Sequence, residues 1–421
     1  MPLYYNRNAM VSISFRLKTT LAACVSLTIM IAAGCDFPYR PITQPQPMAP
    51  LSVKTDSTSS LYPVDPLHQI CNPSVSHDTN YFRGCLLFLN LEGAMSVNVP
   101  DKWKSAFPLE AQSAHDRLTV VDTSNTVRWF LMKPAFLAED ALQDPRWSTH
   151  PDYAAFLGDA DNASSGYVVR LSTKEILRFN AGKIQANSTP YLWVPDHYKP
   201  SGGIDDNATP SDKSQNATWD AVTGMIDKQS VRDFFGTDSV KISFSINGGG
   251  TCLSIYCVDY ADSAPAPVLL PRPSGRDGLD CESAHFSPDG KWVVYNCRNG
   301  NLSSEAYLQR CSPGSQPVLL HQGNAAEPHW WQDRSSGETF VLYCTTVGLL
   351  TFQFENAKQD GSLGETLMRQ VDLGASTQWQ LFRGQEFRLA GLPFQGGLSP
   401  DGRYLVTGYQ YGYILSMPSA N

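Results

Sequence analysis

The sequence contains no H-E-x-x-H, no C-x-x-C, no G-x-G-x-x-G and no Walker loop. Those absences exclude the zincin, cysteine-clamped metal, dinucleotide and P-loop nucleotide sites that these spacings build. It has no G-x-S-x-G either, so the strained elbow that presents a nucleophilic serine in an α/β-hydrolase is missing. Charge is sparse, with 17% Asp, Glu, Lys and Arg, and acids outnumber bases to a net −8. A surface of that sign repels a phosphate backbone and argues against a nucleic-acid partner. Helical periodicity is scarce. Long apolar runs are scarce too: the N-terminal one, Thr19 to Gly34, is too short for a comfortable membrane span.

What that run is follows from its flanks. Arg7, Arg16 and Lys18 precede it and no acid occurs before Asp36, the pattern of a basic n-region and an export h-region. It closes on Ile31-Ala32-Ala33-Gly34-Cys35. This end resembles the lipobox of bacterial lipoproteins, although Ala32 stands where an aliphatic residue is usual. The resemblance implies a signal peptide over 1–34 and acylation of Cys35 as the mature N-terminus. Losing Arg7, Arg16 and Lys18 with the signal takes the net charge from −8 to −11. Contact with the membrane is then expected through the acyl anchor only. Residues 35–70, with PYRPITQPQPMAP inside them, read as a disordered Pro/Gln/Ser-rich tether.

Residues 71–421 read as all-β. Gly (31) and Pro (29) are plentiful, and short aromatic and β-branched runs alternate with turn residues. The best-defined stretch is Ala284–Cys297, AHFSPDGKWVVYNC, in which Ser287-Pro288-Asp289-Gly290 is turn chemistry between two strands. It returns as GGLSPDGRYLVTGY at Gly396–Tyr409 and, with a longer turn, as PHWWQDRSSGETFVLYC from Pro328 to Cys344. PRWSTHPDYAAF at Pro145 and PYLWVPDHY at Pro190 are degenerate copies, the second read with Trp193 in the place of Phe286. Pro267-Val268-Leu269-Leu270 and Pro317-Val318-Leu319-Leu320 end two units with the same tetrapeptide. Trp147, Trp193, Phe286, Trp330 and Leu398 thus mark successive first strands, and the repeat predicts a β-propeller of about six blades. A polar insertion near 199–237 interrupts one unit, and Cys85–Leu89 is expected to complete the last blade.

F-S-P-D-G-K-W-V-V-Y and L-S-P-D-G-R-Y-L-V-T resemble the propeller repeat of TolB. The same repeat occurs in prolyl-oligopeptidase-type peptidases and in oligogalacturonate lyase. The resemblance implies the propeller; propellers host unrelated functions, so it implies little about activity.

Candidate functional residues are few. Cys281 and Cys297 are equidistant from Asp289, so a hairpin centred there sets them face to face as a disulfide, as suits an exported chain. His285 and His329 each precede the repeat aromatic, Arg146 holds the same place before Trp147, and Glu282 and Glu327 stand close by. First strands line a propeller channel, so these five side chains are expected to converge there. Trp219, inside the polar insertion, is a candidate ligand contact. Asp159–Gly166 lacks the ligand and glycine positions of a calcium loop and reads as a polar hairpin. The resulting expectation is a lipid-anchored binding or scaffolding module of the bacterial envelope with no cofactor, in the periplasm or at the cell surface. Its partner would be an envelope protein or glycan, met by loops at one propeller face. The alternative is a carbohydrate-active propeller, a lyase or glycan binder, in which two imidazoles with carboxylates could hold a divalent metal.

Overall fold

The computed structural model describes residues 70–416 apart from 78–81, 83–84, 91–96, 111–114, 138–141, 161–162, 181–189, 196–203, 248–251, 299–303, 335, 346–365, 376–380, 391–396, 400, 403 and 408–412. The expected signal peptide, Cys35 and almost all of the tether therefore lie outside the described residues.

Six sheets, antiparallel apart from one short added strand, follow one another along the chain. Blade 1 is β1 (Ile70–Val75), β2 (Leu86–Asn90), β3 (Arg117–Val121) and β4 (Val127–Met132). Blade 2 is β5 (Gln143–Trp147), β6 (Tyr153–Ala160), β7 (Ala163–Arg170) and β8 (Glu175–Arg178). Blade 3 is β9 (Tyr191–Trp193), β11 (Lys241–Ile246), β12 (Ser254–Asp259) and β13 (Val268–Leu269); β10 (Ser211–Asp212) comes from its insertion. Blade 4 is β14 (Asp280–Phe286), β15 (Trp292–Arg298), β16 (Ser304–Arg310) and β17 (Val318–Leu319). Blade 5 is β18 (Ala326–Gln332), β19 (Thr339–Cys344), β20 (Thr366–Val371) and β21 (Phe382–Ala390). A three-stranded sheet, β22 (Gly397–Leu398), β23 (Tyr404–Thr407) and β24 (Tyr413–Ser416), follows. The first strands touch in the cyclic order β1, β5, β9, β14, β18, β22 and back to β1, which closes a propeller ring. The fold is an all-β propeller of five full blades plus a shorter sixth sheet. Cys85–Leu89 does not complete that sixth sheet: β2 is the second strand of blade 1, paired with β1 and β3.

The Ser-Pro-Asp-Gly turn explains why the hairpins are tight. Ser287 N–H donates to Trp292 O (2.8 Å), and Ser287 Oγ accepts from Trp292 N–H (3.0 Å) and donates to Asp289 Oδ1 (2.6 Å). Asp289 Oδ1 also takes the Lys291 N–H, and Gly290 adopts φ +66°. The copy at Ser399–Gly402 repeats the Ser–Asp bond at 2.7 Å and the positive-φ glycine. Each turn also leans on the preceding blade: Trp193 Nε1 donates to Pro288 O and Trp331 Nε1 to Ser399 O, both at 2.9 Å.

Burial follows the same plan. Trp292, Val293, Val294 and Tyr295 are all buried because each blade is covered on both faces. One apolar cluster fills each of the first four interfaces, as with Trp129, Trp147 and Phe156 between blades 1 and 2. Such rings contribute roughly 1.5–3 kcal/mol each on full burial. From Ile204 onward the polar insertion is folded. Its strand β10 adds in parallel to β8, and it carries helix α1 (Lys228–Phe235). Asp227 caps α1 by accepting from Ser230 N–H, Gly236 ends it at φ +74°, and Val231, Phe234 and Phe235 enter the core between blades 2 and 3. Sequence periodicity missed it because only three apolar residues carry its buried face. Among the described residues no helix is long and apolar enough to cross a membrane.

Candidate functional site at the channel

The strand register fixes which residues are equivalent. Val75, Trp147, Leu192, Phe286, Trp330 and Leu398 oppose matching second-strand positions Leu86, Ala154, Ile242, Val293, Val341 and Leu405. Leu192, not Trp193, therefore stands in the place of Phe286. The sequence reading was one residue out there because the insertion removes the turn that would have set the register. One place earlier in each first strand come Ser74, Arg146, Tyr191, His285, His329 and Gly397, the innermost ring of the propeller.

A bulge aims these residues inward. The ladder shifts between Gln143 and Arg146, between Glu282 and His285, and between Ala326 and His329. In each case the residue two before the ring position has a left-handed backbone: Asp144 (φ +46°), Ser283 (φ +57°) and Glu327 (φ +49°). That conformation is uncommon for residues other than glycine, and a bulge of this kind re-aims the side chains that follow. Three blades thus accept the same local strain at the same place.

The ring residues touch in order. Arg146, buried, donates from Nε to Tyr191 Oη (3.0 Å), and from Nη1 to Pro73 O (3.5 Å). The Tyr191 ring lies 3.7 Å from that of His285, which lies 4.1 Å from that of His329. Ser74 Oγ accepts from Trp147 N–H at 2.9 Å. His329 Nδ1 is 2.8 Å from Glu327 O; a carbonyl only accepts, so Nδ1 carries the proton. His285 Nε2 and Glu327 Oε2 are buried and have no hydrogen-bond partner among the described residues. The two residues as wholes are half-buried, and His285 lines the channel cavity.

The electrostatics follow from that depth. Burial, then Arg146, pulls His329 down to about 3, and burial with His329 and Arg146 takes His285 well below the usual imidazole value. Both rings are neutral at neutral pH. Burial opposes the charge on Arg146, but Tyr191, Glu327 and Asp144 outweigh it and hold the guanidinium above its ordinary pKa. Burial raises Glu327 against the pull of Arg146 and Arg298. It pushes Glu282 up to about 7 even though Arg298 Nε lies 2.5 Å from its Oε1.

Above the ring opens a cavity of about 110 Å³. Its wall combines Trp147, Phe286, Trp330 and Trp331 with Ser74, His77, Thr149, Tyr191, His285, His329, Gln332 and Arg334. That volume holds several waters or the tip of a ligand. Neutral imidazoles and a hydroxyl beside indole faces suit a polar group carried on an apolar or ring-shaped body. Among the described residues no three His, Cys, Asp or Glu side chains are grouped to hold a metal.

All five channel residues expected from the sequence lie on β5, β14 and β18, at the ring or within the three residues before it. Tyr191 was missed through the register slip at Trp193. His77 was missed because it lies just beyond β1, outside any copy of the repeat. Trp219 does not line this cavity; it is half-buried, bridged to Ile226 and packed on the core between blades 2 and 3. The sulfurs of Cys281 and Cys297 are bonded, with the two residues paired across β14 and β15. Asp159 pairs with Ser164 in the β6–β7 hairpin.

No protein-family model and no curated protein matches the chain. Among solved structures it is similar to TolB from Acinetobacter baumannii at 13% identity and a TM-score of 0.38, covering 72% of this chain and 60% of that one. The chain thus spans about three fifths of that TolB. A TolB described as putative, from Agrobacterium tumefaciens, gives 12% and 0.36, covering 83% and 91%. Prolyl oligopeptidase B from Galerina marginata gives 10% and 0.36, covering 83% of this chain and 42% of that one. At such identities and scores the propeller itself rests on the sheet order and the repeat, and these neighbours carry no activity across.

Proposed function

We propose that this chain is an exported, lipid-anchored propeller that acts as a non-enzymatic binding module of the bacterial envelope. It would meet an envelope protein or glycan at the channel mouth. One observation carries the reading: a cavity with an indole wall is lined by His285, whose buried Nε2 no described side chain satisfies. Buried polar atoms are normally paired, so a partner that supplies the missing bond gains both the bond and relief of the desolvation cost. The imidazoles are poor candidates for acid–base work at neutral pH, because efficient proton transfer needs a pKa near the operating pH. The acyl chains on Cys35 would supply location and the propeller face recognition. The test is recovery of partners from the native envelope by the full lipidated chain, compared with a Gln332→Glu/Arg334→Glu chain altered at the cavity rim. A partner held by the first and lost by the second supports the reading; equal recovery by both removes it.

One feature favours the carbohydrate-active alternative: Glu282, pushed up to about 7, stands near a second raised carboxyl, Glu327. Release of unsaturated products from acidic oligosaccharides, abolished by Glu282→Gln, would establish it. No release from a panel of such oligosaccharides removes it.

A further inference from the structure

Two more cysteines meet across the interface of blades 3 and 4. Cys257 lies on β12, opposite Ser243 of β11 and Val268 of β13. Cys311 directly follows β16 and donates its N–H to Lys291 O at 2.9 Å. Both belong to the apolar cluster that also holds Ile255, Tyr295 and the Cys281–Cys297 pair, Cys257 buried and Cys311 half-buried. Their sulfurs are 3.1 Å apart, closer than two non-bonded sulfur atoms ordinarily approach. Forming a bond requires a further approach of about 1 Å, within the reach of side-chain rotation.

We propose that Cys257 and Cys311 form a second disulfide, one that joins blade 3 to blade 4 covalently. The oxidant is a disulfide-bearing thiol oxidant such as oxidised glutathione or an oxidised dithiol protein. One cysteine, as thiolate, attacks the oxidant disulfide, forms a mixed disulfide and releases one thiolate. The other cysteine then attacks the protein sulfur of that mixed disulfide and releases the second thiolate. Two protein thiols are oxidised, one external disulfide is reduced to two thiols, and the two protons end on those products. The Cys281–Cys297 bond holds one hairpin together; this bond would close a 54-residue span from one blade to the next. It would therefore resist separation of the blades. Burial and the neighbouring Cys257 raise the Cys311 thiol, so the exchange belongs to folding, before the interface closes, and is slow in the native reduced protein.

The chemistry rests on an oxidising compartment, and thus on the export reading, but the test does not. The full chain is refolded in reduced and oxidised glutathione, unfolded, alkylated and mapped without reduction. A linked peptide pair carrying Cys257 and Cys311 is expected. Alkyl groups on both residues in protein refolded to the native circular dichroism spectrum would overturn the proposal, as would either cysteine linked elsewhere. A second readout separates a bond from packing. Cys257→Ala, Cys311→Ala and the double variant should melt at the same lowered temperature under oxidising conditions, whereas losses that add would overturn it. Failure of the same bond in cell-derived protein, after success in glutathione, would count against export and not against the pairing.

Discussion

Replacing Gly290 with alanine places one methyl group under two separate costs. The residue sits at φ +66°, where an L side chain loses about 1–2 kcal/mol to its own backbone. The new Cβ would also stand 2.6 Å from Cδ2 and 2.7 Å from Cε2 of Trp193, on the preceding blade. That indole cannot yield freely, because its Nε1 is bonded to Pro288 O inside the same turn. Overpacking of this kind costs about 1–3 kcal/mol, so the sum is about 2–5 kcal/mol. Gly314 supplies the control: at φ +70° it carries the backbone cost, but its Cβ would meet nothing within 4 Å. Gly402 lies between them, with φ +69° and a Trp331 ring atom 3.4 Å away. Urea unfolding followed by tryptophan fluorescence should rank the alanine variants by stability as Gly314, then Gly402, then Gly290. A Gly290→Ala chain as stable as Gly314→Ala would refute the claim that the turn is locked against the neighbouring blade.

Other outcomes follow from the same physics. Cys35→Ala should leave the propeller folded and release it from the membrane fraction; retention through a high-salt wash would contradict the lipid anchor. Reducing Cys281–Cys297, which closes a 16-residue separation, should cost about 3 kcal/mol of stability in the chain-entropy account. Free alkylation of both thiols in native exported protein would show the bond absent. His329 has a folded pKa of about 3, below its unfolded value, so the unfolded chain binds more protons as pH falls below about 6.5. Wild type should therefore lose stability relative to His329→Gln over that window, by at most about 1.4 kcal/mol per pH unit. Parallel curves for the two chains would mean that the ring is not held neutral.

Much of the fold was legible because the propeller repeats its own signals. Ser-Pro-Asp-Gly marks the turn wherever it survives, and the aromatic before it marks the inner strand. Where the turn was lost, at the 199–237 insertion, the register slipped by one and hid Tyr191 behind Trp193. The channel cluster was half visible: Arg146, His285 and His329 stand beside repeat aromatics. The bulge that turns them inward was invisible, since Asp144, Ser283 and Glu327 share no residue type and only their backbone angles reveal it. The Cys257–Cys311 approach was beyond reach as well, because it joins two blades whose relative placement no local pattern encodes.

The central claim is that partners meet this protein at the channel mouth. Its most direct test is site-specific photo-crosslinking of the full lipidated chain in its own envelope. A photoreactive residue replaces Gln332 at the cavity wall in one chain, and Val222, 85% exposed on the insertion, in another. Adducts of defined mass from position 332 and none from position 222 are predicted. Adducts from 222 alone, the same adducts from both, or none from 332 would contradict it.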